Sequence, residues 1–170
     1  FSLSSLPSSC LYDYDYDYDH ICVNTYSEES PVERSGAAAG LAEVCFALSE
    51  ARMALVVEQI LPLAASAKAT AREGLLWFLS SLPAAVGEGG FLAHLPSCMP
   101  IIINAFCDPV EAVREVALRA GEQVAKVMTL TQATTLTGYF CEGVFDASWR
   151  IRCGGLDLLG TVLDLLASGG

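Results

Sequence analysis

The chain has 170 residues, long enough for one domain with a real core or for several small stacked units, and it is 53% hydrophobic with 17% charged residues, which excludes a disordered polymer. Its formal net charge is -11. An acidic balance of that size excludes a general grip on nucleic acid, which needs clustered cations facing phosphate.

The charge is unevenly placed. Residues 1–30 hold Asp13, Asp15, Asp17, Asp19, Glu28 and Glu29 with no Lys or Arg, whereas all nine basic residues fall in 31–170 against fourteen acids. The start, "FSLSSLPSSCLY", lacks an initiator Met and a basic run, so it does not read as a signal peptide, and the chain reads as an excerpt from something larger. In "DYDYDYD", residues 13–19, four like charges side by side repel, and no partner strand is suggested. Residues 1–30 are therefore expected to be an acidic, low-complexity, disordered leader, with docking to a basic surface as the sharper alternative.

From residue 31 the pattern is helical. Met53, Val56, Val57, Ile60, Leu61 and Ala64 recur at three- and four-residue steps, as do Val113, Ala117, Ala120, Val124 and Val127. Apart from the tyrosine tract nothing alternates as a strand, and no Asn-Gly hairpin turn appears. Gly87, Gly89 and Gly90 follow no strand and open a turn between helices, not a phosphate loop. The longest uncharged run, "GGFLAHLPSCMPIIINAFC", contains His94, Pro96, Pro100 and Asn104, which argues against a membrane span.

One spacing recurs along the helical part. A capping or acidic residue stands six positions before an arginine in Glu28–Arg34, Ser66–Arg72, Asp108–Arg114 and Asp146–Arg152, and the arginines are 38, 42 and 38 residues apart. A period near forty with two helices per unit predicts an all-α solenoid over 31–170, with about four repeats, the first lacking its opening helix. Ser66, Asp108 and Asp146 are expected to cap each unit's second helix, with Pro109 at the first helical position. The arginines Arg34, Arg72, Arg114 and Arg152 are expected to bond a neighbouring unit's cap carboxylate (Asp108, Asp146) and loop carbonyls, forming a structural ladder. Small residues after each arginine, such as Gly36, Gly74, Gly154 and Gly155, are expected to permit close helix approach.

Other residues carry less. In "FDASWRIRCGGLDLLG" Trp149 is expected to pack at the inter-repeat seam and Arg150 to face solvent, with partner contact through Trp149 and Arg150 as the functional alternative. His20 and His94 stand apart from any nucleophile. The seven cysteines show no Cys-x-x-Cys spacing and read as reduced thiols. No catalytic constellation, metal set, cofactor loop or small-molecule site is expected, so the chain reads as a non-enzyme.

The segments "ERSGAAAGLAEV", "AREGLLWFLSSLPAAVGE", "VREVALRAGEQV" and "GVFDASWRIRCGGLDLLG" resemble consecutive HEAT repeats of the general-control translational activator family, over about residues 33–163. The resemblance implies a cytoplasmic, ribosome-associated scaffold that supports activation of the starvation-responsive kinase of initiation factor two alpha. Its partners would then be proteins, the ribosome and the kinase regulatory complex, with no nucleic acid, membrane or cofactor engaged directly. In that family the kinase is held by a different HEAT segment, so no contact residue is carried over. The fold alone leaves a generic scaffold of the nuclear-transport, phosphatase or tubulin-binding type as the alternative.

Overall fold

The computed structural model describes residues 30–168, and the expected leader, with its tyrosine tract, lies outside them apart from Ser30. Six α-helices follow in order: α1 (Pro31–Ala47), α2 (Glu50–Ile60), α3 (Ala69–Leu92), α4 (Leu95–Ala105), α5 (Glu111–Val144) and α6 (Trp149–Ser168). A 3₁₀ helix, Leu61–Ala65, extends α2. No strand occurs among the described residues.

Two of these helices are bent into pairs. Gly87 adopts φ +71 inside α3, a left-handed conformation that glycine reaches without the clash a Cβ brings, and the chain restarts as the opening helix of the next unit. Gln132, at φ -113 and ψ 15, divides α5 in the same way. The opening helices are thus α2 with its 3₁₀ extension, α4 with the end of α3, and the end of α5. The closing helices are α1, the start of α3, the start of α5, and α6. The solenoid is therefore built of antiparallel pairs with a closing helix first, and α3 packs between α1 and α5.

The core is the shared side of this stack. Met53, Val56, Val57 and Ile60 bury one stripe of α2, while Val113, Ala117, Ala120 and Val124 bury one stripe of α5. Leu75, Leu76, Phe78, Leu79 and Leu82 make α3 apolar nearly all round. By length and hydropathy α3 alone among the described helices is fit to cross a bilayer. Its place between two neighbours accounts for that composition, since a helix covered on several sides needs apolar residues on all of them.

Two glycines of α6 mark close approaches to its neighbours. A Cβ on Gly154 would lie 2.5 Å from the Phe106 ring, and one on Gly155 would lie 3.0 Å from the Phe140 carbonyl oxygen. Gly36, by contrast, has nothing within 4 Å, so close packing after the arginine belongs to the last copy and not the first.

Candidate functional site

The repeated loop before each closing helix is the one polar construction common to the units. Four hydrogen bonds establish its equivalence. The backbone N–H groups of Arg34, Arg72, Arg114 and Arg152 donate to the carbonyls of Ser30, Lys68, Val110 and Ser148, four residues earlier, at 3.1, 3.3, 3.3 and 3.1 Å. These are the first intrahelical bonds of α1, α3, α5 and α6, so each arginine sits at the same point of its helix.

The capping differs from the sequence expectation. Asp108 accepts from Val110 N–H at 2.9 Å, Asp146 from Ser148 N–H at 2.7 Å, and Ser66 Oγ from Lys68 N–H at 3.2 Å. Each closes a turn two residues on, inside the loop, because short polar side chains reach their own i+2 amide most readily there. The helix starts later, and Pro109 lies in the loop, two residues ahead of Glu111. In the first copy Ser30 is the cap: it and Glu33 form a reciprocal capping box with Pro31 beginning the helix. The Ser30 amide and hydroxyl hold the Glu33 carboxyl below the usual range.

Above this turn the arginine folds back onto the carbonyls of its own loop, not onto those of the neighbouring unit, because its own loop lies directly beneath it. Arg72 Nη1 donates to the carbonyls of Ser66 (2.8 Å) and Ala67 (3.3 Å). Arg114 Nη1 does so to Asp108 (2.8 Å) and Pro109 (3.1 Å). Arg152 Nη1 repeats it at Asp146 (3.0 Å) and Ala147 (2.9 Å). The six-residue offset is the length that lets a guanidinium one turn up a helix reach back to the carbonyls of the loop before it.

Contact between units is more varied than a uniform ladder. Arg72 closes a two-pronged pair on Asp108 of the next unit, with Nε to Oδ2 at 2.6 Å and Nη2 to Oδ1 at 2.9 Å. Burial works against the Asp108 carboxylate, but bonds from Arg72 and the Val110 amide, with the charges of Arg72 and Arg114, hold its pKa below the ordinary value. The bond to Asp108 raises that of Arg72. A cleft of about 280 Å³ opens beside this pair, lined mainly by Leu75, Leu76, Ile101, Asn104 and Val113.

Arg114 makes no such bond to Asp146. The loops of these units meet instead through Cys107 Sγ and Ser148 Oγ, 2.6 Å apart. Arg34 also departs from the pattern: its Nη2 donates to Glu73 of α3 at 2.8 Å, with both side chains almost fully buried. Ser66 has no carboxylate to offer at the equivalent place, and Glu73 supplies one from the helix.

The sequence reading overlooked Glu73, which sits next to an arginine already assigned a role. A signal was present in Glu73 and Trp77, four residues apart on one helix face, and Trp77 Nε1 donates to Glu73 Oε1 at 3.2 Å. Trp149 is corrected as well. It is 59% exposed: Ile151, Gly154, Gly155, Leu158 and Val162 occupy the inward stripe of α6, and Trp149 stands outside that stripe, at the open rim of the groove between α5 and α6. Arg150 is exposed and lies over the Trp149 ring at 4.9 Å.

His94 begins α4, where burial lowers its pKa against the opposing charge of Glu58. Burial pushes the Cys98 thiol up to about 12, so it packs as a neutral side chain. Among the described residues no three His, Cys, Asp or Glu side chains are grouped to hold a metal ion.

Stacked antiparallel helix pairs with a loop motif repeated at equivalent positions define a HEAT-type α-solenoid segment. No family model matches the chain. Individual proteins do: it is 32% identical over 141 residues, 83% of the chain, to "eIF-2-alpha kinase activator GCN1" of Dictyostelium discoideum. It is 35% identical over 138 residues, 80% of the chain, to "Stalled ribosome sensor GCN1" of Homo sapiens. It is 30% identical over 142 residues, 83% of the chain, to the GCN1 of Saccharomyces cerevisiae. The chain belongs, as a segment, to the GCN1 family, and it spans about 5% of the length of each of these relatives.

Proposed function

We propose that the chain is a non-catalytic scaffold segment of a cytoplasmic, ribosome-associated translational activator. In this reading it supports activation of the initiation factor two alpha kinase during amino-acid starvation or ribosome stalling. The observation that carries the reading is identity of 30–35% across four fifths of the chain to proteins named as activators of that kinase and as stalled-ribosome sensors. Contact with the ribosome and with the kinase regulatory complex would run through the longer protein, with this segment setting the path of the array.

Electrostatics supports a protein-facing role. Arg34, Arg72, Arg114 and Arg152 are engaged with carboxylates or loop carbonyls, and Arg119 and Arg150 lie over indole rings. That leaves few cations for a stripe along phosphate, and fourteen acids share residues 31–170 with them. The test replaces the segment, in the longer protein, by a HEAT stretch of equal repeat number from an unrelated scaffold. Ribosome co-sedimentation and phosphorylation of initiation factor two alpha are measured after starvation. Loss of either supports the reading, and full retention of both rejects a specific role for this segment.

A further inference from the structure

Arg72 and Arg114 occupy the same place in successive units, yet their guanidinium groups are filled differently. Each uses Nη1 to hold two carbonyls of its own loop. Arg72 then closes Nε and Nη2 on the Asp108 carboxylate. Arg114 meets no carboxylate among the described residues: Asp146, the counterpart of Asp108, makes the same turn bond to the amide two residues on but does not reach the guanidinium. The Arg114 side chain lines an open groove of about 290 Å³ between α5 and α6, with Leu118, Trp149, Arg150 and Asp157. Trp149 is 59% exposed there, Arg150 covers its ring, and Phe145, in the loop leading to α6, is 87% exposed.

We propose that this groove is a receptor for a short acidic peptide of a partner protein. One Glu or Asp side chain enters the fork of Arg114, and an apolar or aromatic neighbour lies against Trp149. The Arg72–Asp108 pair shows which ligand a guanidinium in this setting takes, since a planar fork matches a carboxylate two bonds at a time. The indole supplies contact area at small entropic cost, and exposed aromatic and Arg side chains are the usual anchors of an interface. Arg150 adds a second positive charge that draws an acidic segment in. Asp157 on the same wall repels further anionic groups. The groove therefore suits one carboxylate beside an apolar side chain and disfavours a run of phosphates. Its volume accommodates a pair of side chains and is small for a cofactor.

The inference does not depend on the scaffold reading, because the 170-residue chain alone serves for the test. The probe is an end-blocked, fluorescein-labelled peptide, Gly-Phe-Glu-Phe-Gly-Ser, titrated with the chain at low ionic strength and followed by anisotropy. The control carries Gln in place of Glu. Arg114→Gln is expected to weaken binding of the Glu peptide by roughly tenfold or more, and Arg150→Gln by a few-fold. Trp149→Ala, an exposed change that leaves the helical spectrum intact, is expected to match Arg114→Gln, so a fold defect in one variant does not decide the outcome. Equal binding of the Glu and Gln peptides, or unchanged affinity in Trp149→Ala, overturns the proposal. So does tighter binding of a single-stranded RNA oligonucleotide at the same site, or a tenfold gain on Asp146→Ala, which would show Asp146 filling the fork in solution.

Discussion

Arg119 of α5 places its guanidinium 5.1 Å from the centre of the Trp77 ring on α3, joining one unit to the one before it. The same indole donates to Glu73 at 3.2 Å, and Glu73 accepts from Arg34 of α1 at 2.8 Å. Three closing helices are thereby threaded by one run of polar contacts, cation to carboxylate to indole to cation. Its inner end is buried, and its outer end, Arg119, is exposed.

Because Glu73 and Arg34 are both desolvated, removing the acid leaves a buried cation without this partner. Glu73→Ala is expected to lose about 3–5 kcal/mol in urea denaturation. Trp77→Phe keeps an aromatic ring but loses the indole N–H bond and part of the ring's volume, about 1–2 kcal/mol. Arg119→Ala, at the exposed end, is expected to cost about 0.5–1 kcal/mol. A Glu73→Ala chain as stable as the parent would show that the run carries no structural weight.

At the loops, Arg72 and Arg152 separate two contributions. Both hold their own carbonyls, but only Arg72 also pairs with a neighbouring carboxylate, at 15% and 7% side-chain exposure for Arg72 and Asp108. Arg72→Ala is therefore expected to cost about 3 kcal/mol, and Arg152→Ala about 1 kcal/mol. Comparable midpoints and slopes for the two variants would mean that the ion pair adds nothing beyond the loop bonds.

Acid should weaken the same contact. The folded pKa of Asp108 lies below its ordinary value, near 3.9 for a free aspartate. Between the two values the unfolded chain binds more protons than the folded one, so stability rises with pH there. The contribution is complete above about pH 4 and is lost as pH falls through the folded pKa. Urea melts of the parent and Asp108→Asn over this range should converge toward the acid end. A constant gap between them would mean that Asp108 does not titrate below its free value.

Two glycines of α6 offer opposite outcomes from one substitution. Gly154→Ala drives a methyl into the Phe106 ring and is expected to destabilise by about 1–3 kcal/mol. Gly160 is exposed with nothing within 4 Å, and Gly160→Ala is expected to stabilise by about 0.5–1 kcal/mol through helix propensity. Thermal melts of the two variants shifting in the same direction would contradict this packing.

The helical periodicity and the arginine spacing were legible without coordinates because each reflects local geometry. The stripes at Met53–Ile60 and Val113–Val124 follow from 3.6 residues per turn, and the six-residue offset follows from the reach of one guanidinium back along its own helix. What Arg34 and Arg114 take from another unit was not legible. Arg72 finds Asp108, Arg34 finds Glu73, and Arg114 makes no bond to Asp146, although all three share one sequence motif. Those choices depend on how far one helix slides and rotates against the next, which no spacing within a unit records. Trp149 was misread for a related reason. It was expected to pack in the seam, whereas its phase relative to Ile151 and Leu158 leaves it exposed at the rim.

The loop also acts as a ruler for where the chain tolerates a change of length. Intervals between the arginines vary, 38, 42 and 38 residues, but the step from Ser66, Asp108 or Asp146 to its arginine is six in each. The slack is taken up in the helices and their glycine or glutamine joints, never in the stretch that the Nη1 bonds measure. A single glycine inserted between Pro109 and Val110 should therefore unseat Arg114 from both carbonyls and lower the urea midpoint markedly. The same insertion between Gly89 and Gly90 should be absorbed with a smaller loss. Equal losses at the two places would remove the loop's claim to set the phase of the array.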